Sequence, residues 1–543
     1  MIEFKVVSSL EKVFPDEGPK GSVSRIEGLL NERVSFQTSW RDTDVSVCCC
    51  SMKVDSPIAE YVKISRVLGV PVTYATYQDA DDDYLRKSAG VYPDILAKIE
   101  QDRLHIYGGH WETVWLDIDA PETLPAGDYP VKVQLYDREG QLLCEGEVTY
   151  HRIGAMLPKQ TLIHTHWFHL DALCSYYRVE MFSEEFWDIC DQFLAGMKEI
   201  GQNCVLTPIH TPPLDTAVGG ERLTGQLVGI KKTEVGYEFD FSLFERFIAL
   251  AQKNGIEYFE MAHLFTQWGA GHAPKIIAEV NGAETKIFGW ETDATDPAYT
   301  AFLRAYIPAV AEETKKLGIA DKCIWHISDE PNEWCLDAYL AARNSIADVT
   351  KDLTLIDALS HFDFYEKGII AHPVPANNAI KPFLAAKIKN LWTYYCCGQY
   401  KDVSNAFVAM PSRRTRIMGA QMFKYNIAGF LQWGYNFYGC RFSEYPVDPY
   451  RQNDGDGFTP AGDCFIVYPG RDGAPLQSIR GRVFKQGLDD MRALQLLESY
   501  VGHEEAVRIM ENGETVEFDT YPRTDEYLVS MRERVNTEIE KHI

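Results

Sequence analysis

The 543-residue sequence lacks any apolar stretch long enough to cross a bilayer. Its opening residues, Met1-Ile2-Glu3-Phe4-Lys5-Val6, lack the apolar core of a signal peptide, so a cytoplasmic protein is expected. Positive charge is scarce: 53 Lys and Arg face 79 Asp and Glu, a net charge of −26. Nucleic acid and anionic membrane are therefore excluded as expected partners, since both would be repelled. The 13 cysteines, with the runs Cys48-Cys49-Cys50 and Cys396-Cys397, show no spacing of a disulfide framework or zinc cage, which fits a reducing compartment. There is no Gly-x-Ser-x-Gly elbow, which argues against a serine hydrolase, and no Gly-rich nucleotide loop after the first strand of the α/β region. Internal repeats are absent. What remains is a globular enzyme composition, 45% hydrophobic and 24% charged, in a chain too long for one core.

Residues 1–157 read as an immunoglobulin-like β-sandwich. Alternating runs such as Trp111–Ile118 and Val131–Leu135 are broken by Gly, Pro and Asp turns. The acidic run Asp79–Asp83 reads as a solvated loop, and the sandwich as a buttress. Residues 158–475 repeat strand, loop and helix, with apolar strands expected at 162–167, 204–209, 257–262, 323–327, 353–358, 369–372, 391–395 and 427–433. Eight such units over this length predict a (β/α)8 barrel. Residues 476–543 read as a helical extension packed on the barrel, preceded by a Gly-rich turn, Asn453–Gly457, closing over the mouth. The fold class is thus a multidomain α/β plus β chain.

In a barrel the chemistry sits at the carboxyl ends of the strands. There the sequence places His166, Trp167, Asp171, His210, His263, Trp268, His326, Tyr394, Tyr395, Trp433, Asn436 and Tyr438. A mouth of aromatic, imidazole and amide groups suits a small glycan, because aromatic faces pack on C–H faces and polar tips read hydroxyls. His164-Thr165-His166 is a compact metal-binding candidate but has no matched third ligand, and neither metal nor cofactor is expected.

The strongest motif is Ile327-Ser328-Asp329-Glu330-Pro331, where a buried strand ends in two adjacent carboxylates. Such carboxylates are costly there unless something satisfies or uses them. Pro331 keeps Glu330 out of the right-handed helix and ends the strand. A two-carboxylate glycosidase needs a second acidic group across the sugar, yet strands six to eight carry none near their ends. With Glu330 as the acid, the nucleophile is Asp357, Asp363, Glu260, Asp171 or no protein group at all. The adjacent pair suits the last option, with Glu330 protonating the leaving oxygen and Asp329 orienting a substrate 2-acetamido group that attacks the anomeric carbon. Glu330 would then need a raised pKa, which a dry pocket beside Asp329 supplies. A glycosidase for sugars without an acetamido group and a non-catalytic sugar-binding barrel remain as alternatives.

On His326–Pro331, His166–Leu173 and Gly462-Asp463-Cys464-Phe465-Ile466-Val467-Tyr468-Pro469-Gly470, the chain resembles the family 123 glycoside hydrolases, a group of β-N-acetylgalactosaminidases. The resemblance covers most of the chain, sandwich included. It implies a retaining exo-β-N-acetylgalactosaminidase working through an oxazolinium-type intermediate, with Asp329 polarising the acetamido group and Glu330 as general acid/base. The expected partner is a glycan substrate alone, on a monomer or homodimer.

Overall fold

The computed structural model describes residues 1–44 and 47–543. Two sheets form the N-terminal part. One, seven-stranded, runs in the order Ile2–Ser8, Val34–Asp42, Glu112–Ile118, Val62–Val72, Gly90–Lys98, Pro475–Ser478 and Tyr468–Pro469. Its last two strands come from beyond residue 460, so the chain returns from the C-terminal side to extend this sheet. The other, five-stranded, runs Arg25–Leu30, Leu142–Met156, Gly127–Tyr136, Val47–Asp55 and Leu104–Tyr107. Alternate residues of both sheets, among them Phe36, Trp40, Leu116, Val133 and Tyr150, meet in one buried cluster, as period-two patterning requires.

Eight parallel strands follow: Ile163–His166, Cys204–Thr207, Tyr258–Met261, Cys323–His326, Leu355–Ala358, Pro373–Val374, Trp392–Tyr394 and Gly429–Gln432, here numbered one to eight. Their spatial order is six to one, then eight and seven, and a bridge between Ala376 and Tyr394 joins the two ends into a nearly closed barrel. Period-two alternation divides the side chains. Trp167, Leu206, Ile324, Ile356, Val374, Tyr394 and Leu431 share an interior cluster, whereas Val205, Phe259, Trp325, Tyr395 and Phe430 pack outward on the helices. The helix Ser242–Lys253 follows strand two, and Pro297–Lys316 opens on the Asp296 N-cap. The last three helices are Ile479–Val501, His503–Glu511 and Asp525–Glu540.

Three expectations are corrected. The sixth strand is not 369–372. Ile369 and Ile370 are buried in a turn, and the strand lies at Pro373–Val374, where Pro373 and Pro375 fix extended backbone. Second, the Asp79–Asp83 loop is only partly solvated: Asp79 and Asp82 are exposed, but Asp81 pairs with the fully buried guanidinium of Arg414 at 2.9 Å, and Asp83 with Arg413. Third, a four-stranded sheet, Gly236–Asp240, Gly229–Thr233, Ile276–Val280 and Ala283–Phe288, is inserted in the loops after barrel strands two and three, where only loop and helix were expected. No helix of the described residues is long and apolar enough to cross a membrane.

Candidate functional site

At the end of strand four the backbone is held from both sides. The Asp357 carboxylate, on strand five, accepts the amides of Ile327 (3.0 Å) and Ser328 (3.2 Å) and the hydroxyl of Tyr339. The Ser328 hydroxyl donates to the Thr266 carbonyl at 2.7 Å. Beyond them Glu330 donates its amide to Ala358 (3.1 Å) and takes φ +44°, while Trp268, at φ +58°, donates its amide to the Asp329 carbonyl (2.8 Å). Pro331 disfavours the right-handed helix for Glu330, yet the residue takes the left-handed region and not the extended backbone usual before proline. Two non-glycine residues in that region, each costing about 1–3 kcal/mol, are thus one member of the carboxylate pair and a residue bonded to the other, as strained backbone often is at working sites.

The Tyr394 hydroxyl donates to Glu330 Oε1 at 2.7 Å. Asp329 is half-buried, and its pKa is raised well above the ordinary carboxylate value, first by loss of solvent, then by the charges of Glu330, Asp357 and Glu260. Beneath the pair lies a polar layer inside the barrel. Glu260, fully buried, receives the Thr165 hydroxyl (2.8 Å), the Trp167 indole N–H (2.8 Å) and His326 Nε2 (2.6 Å). His263 stacks on His326 at 4.2 Å and meets Trp167 edge-on at 5.1 Å. Burial holds His263 neutral, with a pKa well below the usual value, and neither of its ring nitrogens has a protein partner.

The structure therefore gathers Asp329, Glu330, Trp167, His263, His326, Trp268 and Tyr394 around the end of strand four. Trp433 lies just past the end of strand eight, its indole N–H donating to Asp463 at 2.9 Å. Most other sequence-picked residues spend their polar atoms on protein partners. His166 faces outward and bonds His164 (2.8 Å), so those two nitrogens meet each other instead of a shared metal. Tyr395 packs outward on Phe430, and the Tyr438 hydroxyl donates to the Val467 carbonyl. Asn436 spends its amide on the backbone of His169, and His210 bonds the His263 carbonyl (2.8 Å). Asp171 is clasped by Arg222 at 2.7 and 2.8 Å. Asp363 lies on the surface, paired with Lys367, beside Glu333 and His361; these three could hold a cation among exposed groups.

Two further residues near this end of the barrel were not singled out from the sequence. Asp463 is buried, its pKa pushed up to about 7 by burial, and its Oδ1 has no partner. Tyr77 arrives from the N-terminal part. Asp463 sits in the Gly462–Gly470 motif and was within reach; Tyr77 carries no local signal.

A barrel mouth with adjacent carboxylates among Trp, Tyr and His suits a carbohydrate-cleaving hydrolase. A family model described as the glycoside hydrolase 123 catalytic domain matches residues 167–497, more than half of the chain, and the chain belongs to that family. It is a glycoside hydrolase. All of it is similar in structure, at 15% identity and TM-score 0.75, to 98% of a family 123 glycoside hydrolase from Clostridium perfringens whose study concerns glycolipid glycan hydrolysis. A Parabacteroides merdae β-glucuronidase also matches, with 11% identity, 91% of this chain and 51% of that one, but at TM-score 0.31 it carries no argument. No curated protein sequence matches.

Proposed function

We propose that the protein is a retaining exo-β-N-acetylgalactosaminidase that removes terminal β-GalNAc from oligosaccharides or glycolipids with the help of the substrate's own 2-acetamido group. The observation that carries this is the carboxylate pair itself. Asp329 and Glu330 stand at the mouth, while the other acidic groups weighed as nucleophile are occupied: Glu260 by three donors, Asp357 by three donors, Asp171 by Arg222 and Asp363 by Lys367. With those four carboxylates spent on protein partners, this reading assigns the attack to the acetamido oxygen.

The raised pKa of Asp329 fits one proton shared by the pair, because neighbouring carboxylates do not both ionise readily in a partly dry site. Sugar binding assigns that proton. The acetamido N–H and the positive charge developing on the oxazolinium ring favour ionised Asp329, leaving Glu330 to protonate the leaving oxygen and later to deprotonate water. Tyr394 fixes the Glu330 carboxyl. The C. perfringens relative, studied on glycolipid glycans, supports a glycolipid or oligosaccharide substrate. The N-terminal sheets are read as an immunoglobulin-like sandwich, the parallel sheet as a (β/α)8 barrel, and the thirteen free thiols accord with a cytoplasmic location. The test is hydrolysis of aryl β-GalNAc against aryl β-galactoside. Turnover of the acetamido sugar alone is expected, and cleavage of the galactoside at a similar rate would overturn the reading.

A further inference from the structure

The segment 73–85 leaves the seven-stranded sheet after Val62–Val72 and packs on the barrel before the chain rejoins that sheet at Gly90–Lys98. Its attachment is ionic and buried. Arg414 grips Asp81 with both terminal guanidinium nitrogens at 2.9 Å and reaches the Asp83 carbonyl at 3.1 Å. The Asp402 amide donates to Asp81 at 2.6 Å, and the Tyr84 hydroxyl to the Tyr400 carbonyl at 2.6 Å. Fork-to-fork pairing of buried charges fixes one orientation, since any other leaves a charge dry and unpaired.

That clamp holds Tyr77 against the loop that follows barrel strand seven. Its ring lies 4.4 Å from Tyr400 and 5.6 Å from Tyr74, and its hydroxyl lies against the Cys397 thiol, with burial first and the Asp463 charge also raising its pKa. The Ala461 amide donates to the Tyr74 carbonyl at 2.8 Å, which ties the segment to the loop carrying Asp463. Asp463 in turn holds Trp433. A strut needs only apolar contact. Here half-buried phenol and indole rings stand beside a carboxylate whose Oδ1 is buried without a donor. Buried acceptors are nearly always satisfied, and a sugar hydroxyl is the donor that aromatic neighbours also suit.

We propose that Tyr77 is a specificity-determining residue of the sugar site, supplied by the N-terminal part of the chain. Its ring and hydroxyl, with Trp433 and Asp463, form the wall that binds the hydroxyl edge of the terminal amino sugar. This rests on the proposed hexosaminidase reading. The test compares wild type, Tyr77→Phe and Tyr77→Ala in the full chain on aryl β-GalNAc and its C4 epimer, aryl β-GlcNAc, with free GalNAc binding followed by saturation-transfer NMR. Tyr77→Phe should raise KM about three- to tenfold with kcat nearly unchanged and shift the epimer ratio, as loss of one hydrogen bond does. Tyr77→Ala should raise KM further, by roughly another tenfold, and weaken GalNAc binding in parallel. A fall in Tm with KM, epimer ratio and GalNAc binding unchanged would make the segment a strut and overturn the inference. If wild type turns over neither substrate, the hexosaminidase reading fails. GalNAc binding lost in Tyr77→Ala would then still support the wall, and absence of binding to wild type would overturn both. Should Tyr77→Ala not fold, Tyr77→Phe decides.

Discussion

Replacing Asp357 with Asn separates two roles for the same carboxylate. In the structure its Oδ1 holds the Ile327 and Ser328 amides and its Oδ2 takes the Tyr339 hydroxyl, so it anchors the backbone that presents Asp329 and Glu330. Asn keeps an acceptor for both amides and offers an N–H to the Tyr339 oxygen, so the anchor survives. We expect kcat/KM within about tenfold of wild type, because no transition-state contact is removed. A nucleophile would instead lose on the order of 10⁴-fold. Ala leaves three donors without a partner, and about 3–5 kcal/mol of stability should go with them. The pH dependence gives a second reading. Burial first, against the pull of His326 and the bound donors, raises the Asp357 pKa from 3.8 to about 6. A raised carboxyl contributes stability that is present below pH 3.8 and lost as pH rises through 6, roughly 3 kcal/mol for a shift of this size. Asn has no such loss. The stability advantage of wild type over Asp357→Asn should therefore shrink between pH 4 and pH 7 in denaturant titrations. A folded Asp357→Asn variant that has lost more than about 1,000-fold in kcat/KM would refute the anchor role.

Tyr394→Phe deletes the phenol that donates to Glu330, and kcat/KM on aryl β-GalNAc should fall about ten- to a hundredfold, the worth of a hydrogen bond to a charged group; a change below twofold would remove Tyr394 from the site. Arg414→Ala strands buried Asp81 and should cost about 3–5 kcal/mol, read as a drop of several degrees in apparent Tm. Burial opposes ionisation of Asp81, but the Asp402 amide and Arg414 outweigh it and hold its pKa below 3.8, so this contribution is present above pH 3.8 and lost as pH falls through the folded pKa. The Tm gap between wild type and Arg414→Ala should therefore close in acid, and a gap independent of pH would contradict the ion-pair account.

Much of the barrel was legible because its strands are buried on both faces and read as continuous apolar runs, and seven of the eight lie on the expected segments. The sixth was not, since a two-residue strand between prolines offers no pattern while Ile369-Ile370 beside it does. The inserted sheet carried a signal that went unused: Asn281-Gly282, a hairpin dipeptide, sits between Ile276–Val280 and Ala283–Phe288. At the site, alternation separates neighbours that composition treats alike. Tyr394 points inward to Glu330, so Tyr395 must point outward, and His166 shares the outward face with His164. The pairing of Asp81 with Arg414 spans more than 300 residues and has no local trace, so neither the docking of segment 73–85 nor the place of Tyr77 could be read from the chain.

The central claim is that the substrate's acetamido oxygen performs the attack. It is tested most directly with aryl β-GalNAc analogues carrying acetamido, fluoroacetamido, difluoroacetamido and trifluoroacetamido groups, each fluorine making that oxygen a weaker nucleophile. The account predicts that kcat falls steeply and steadily along the series, by orders of magnitude in all, and that Asp329→Asn flattens the slope while lowering every rate. Rates that stay level across the series in the wild type would contradict it and return the attack to a protein carboxylate.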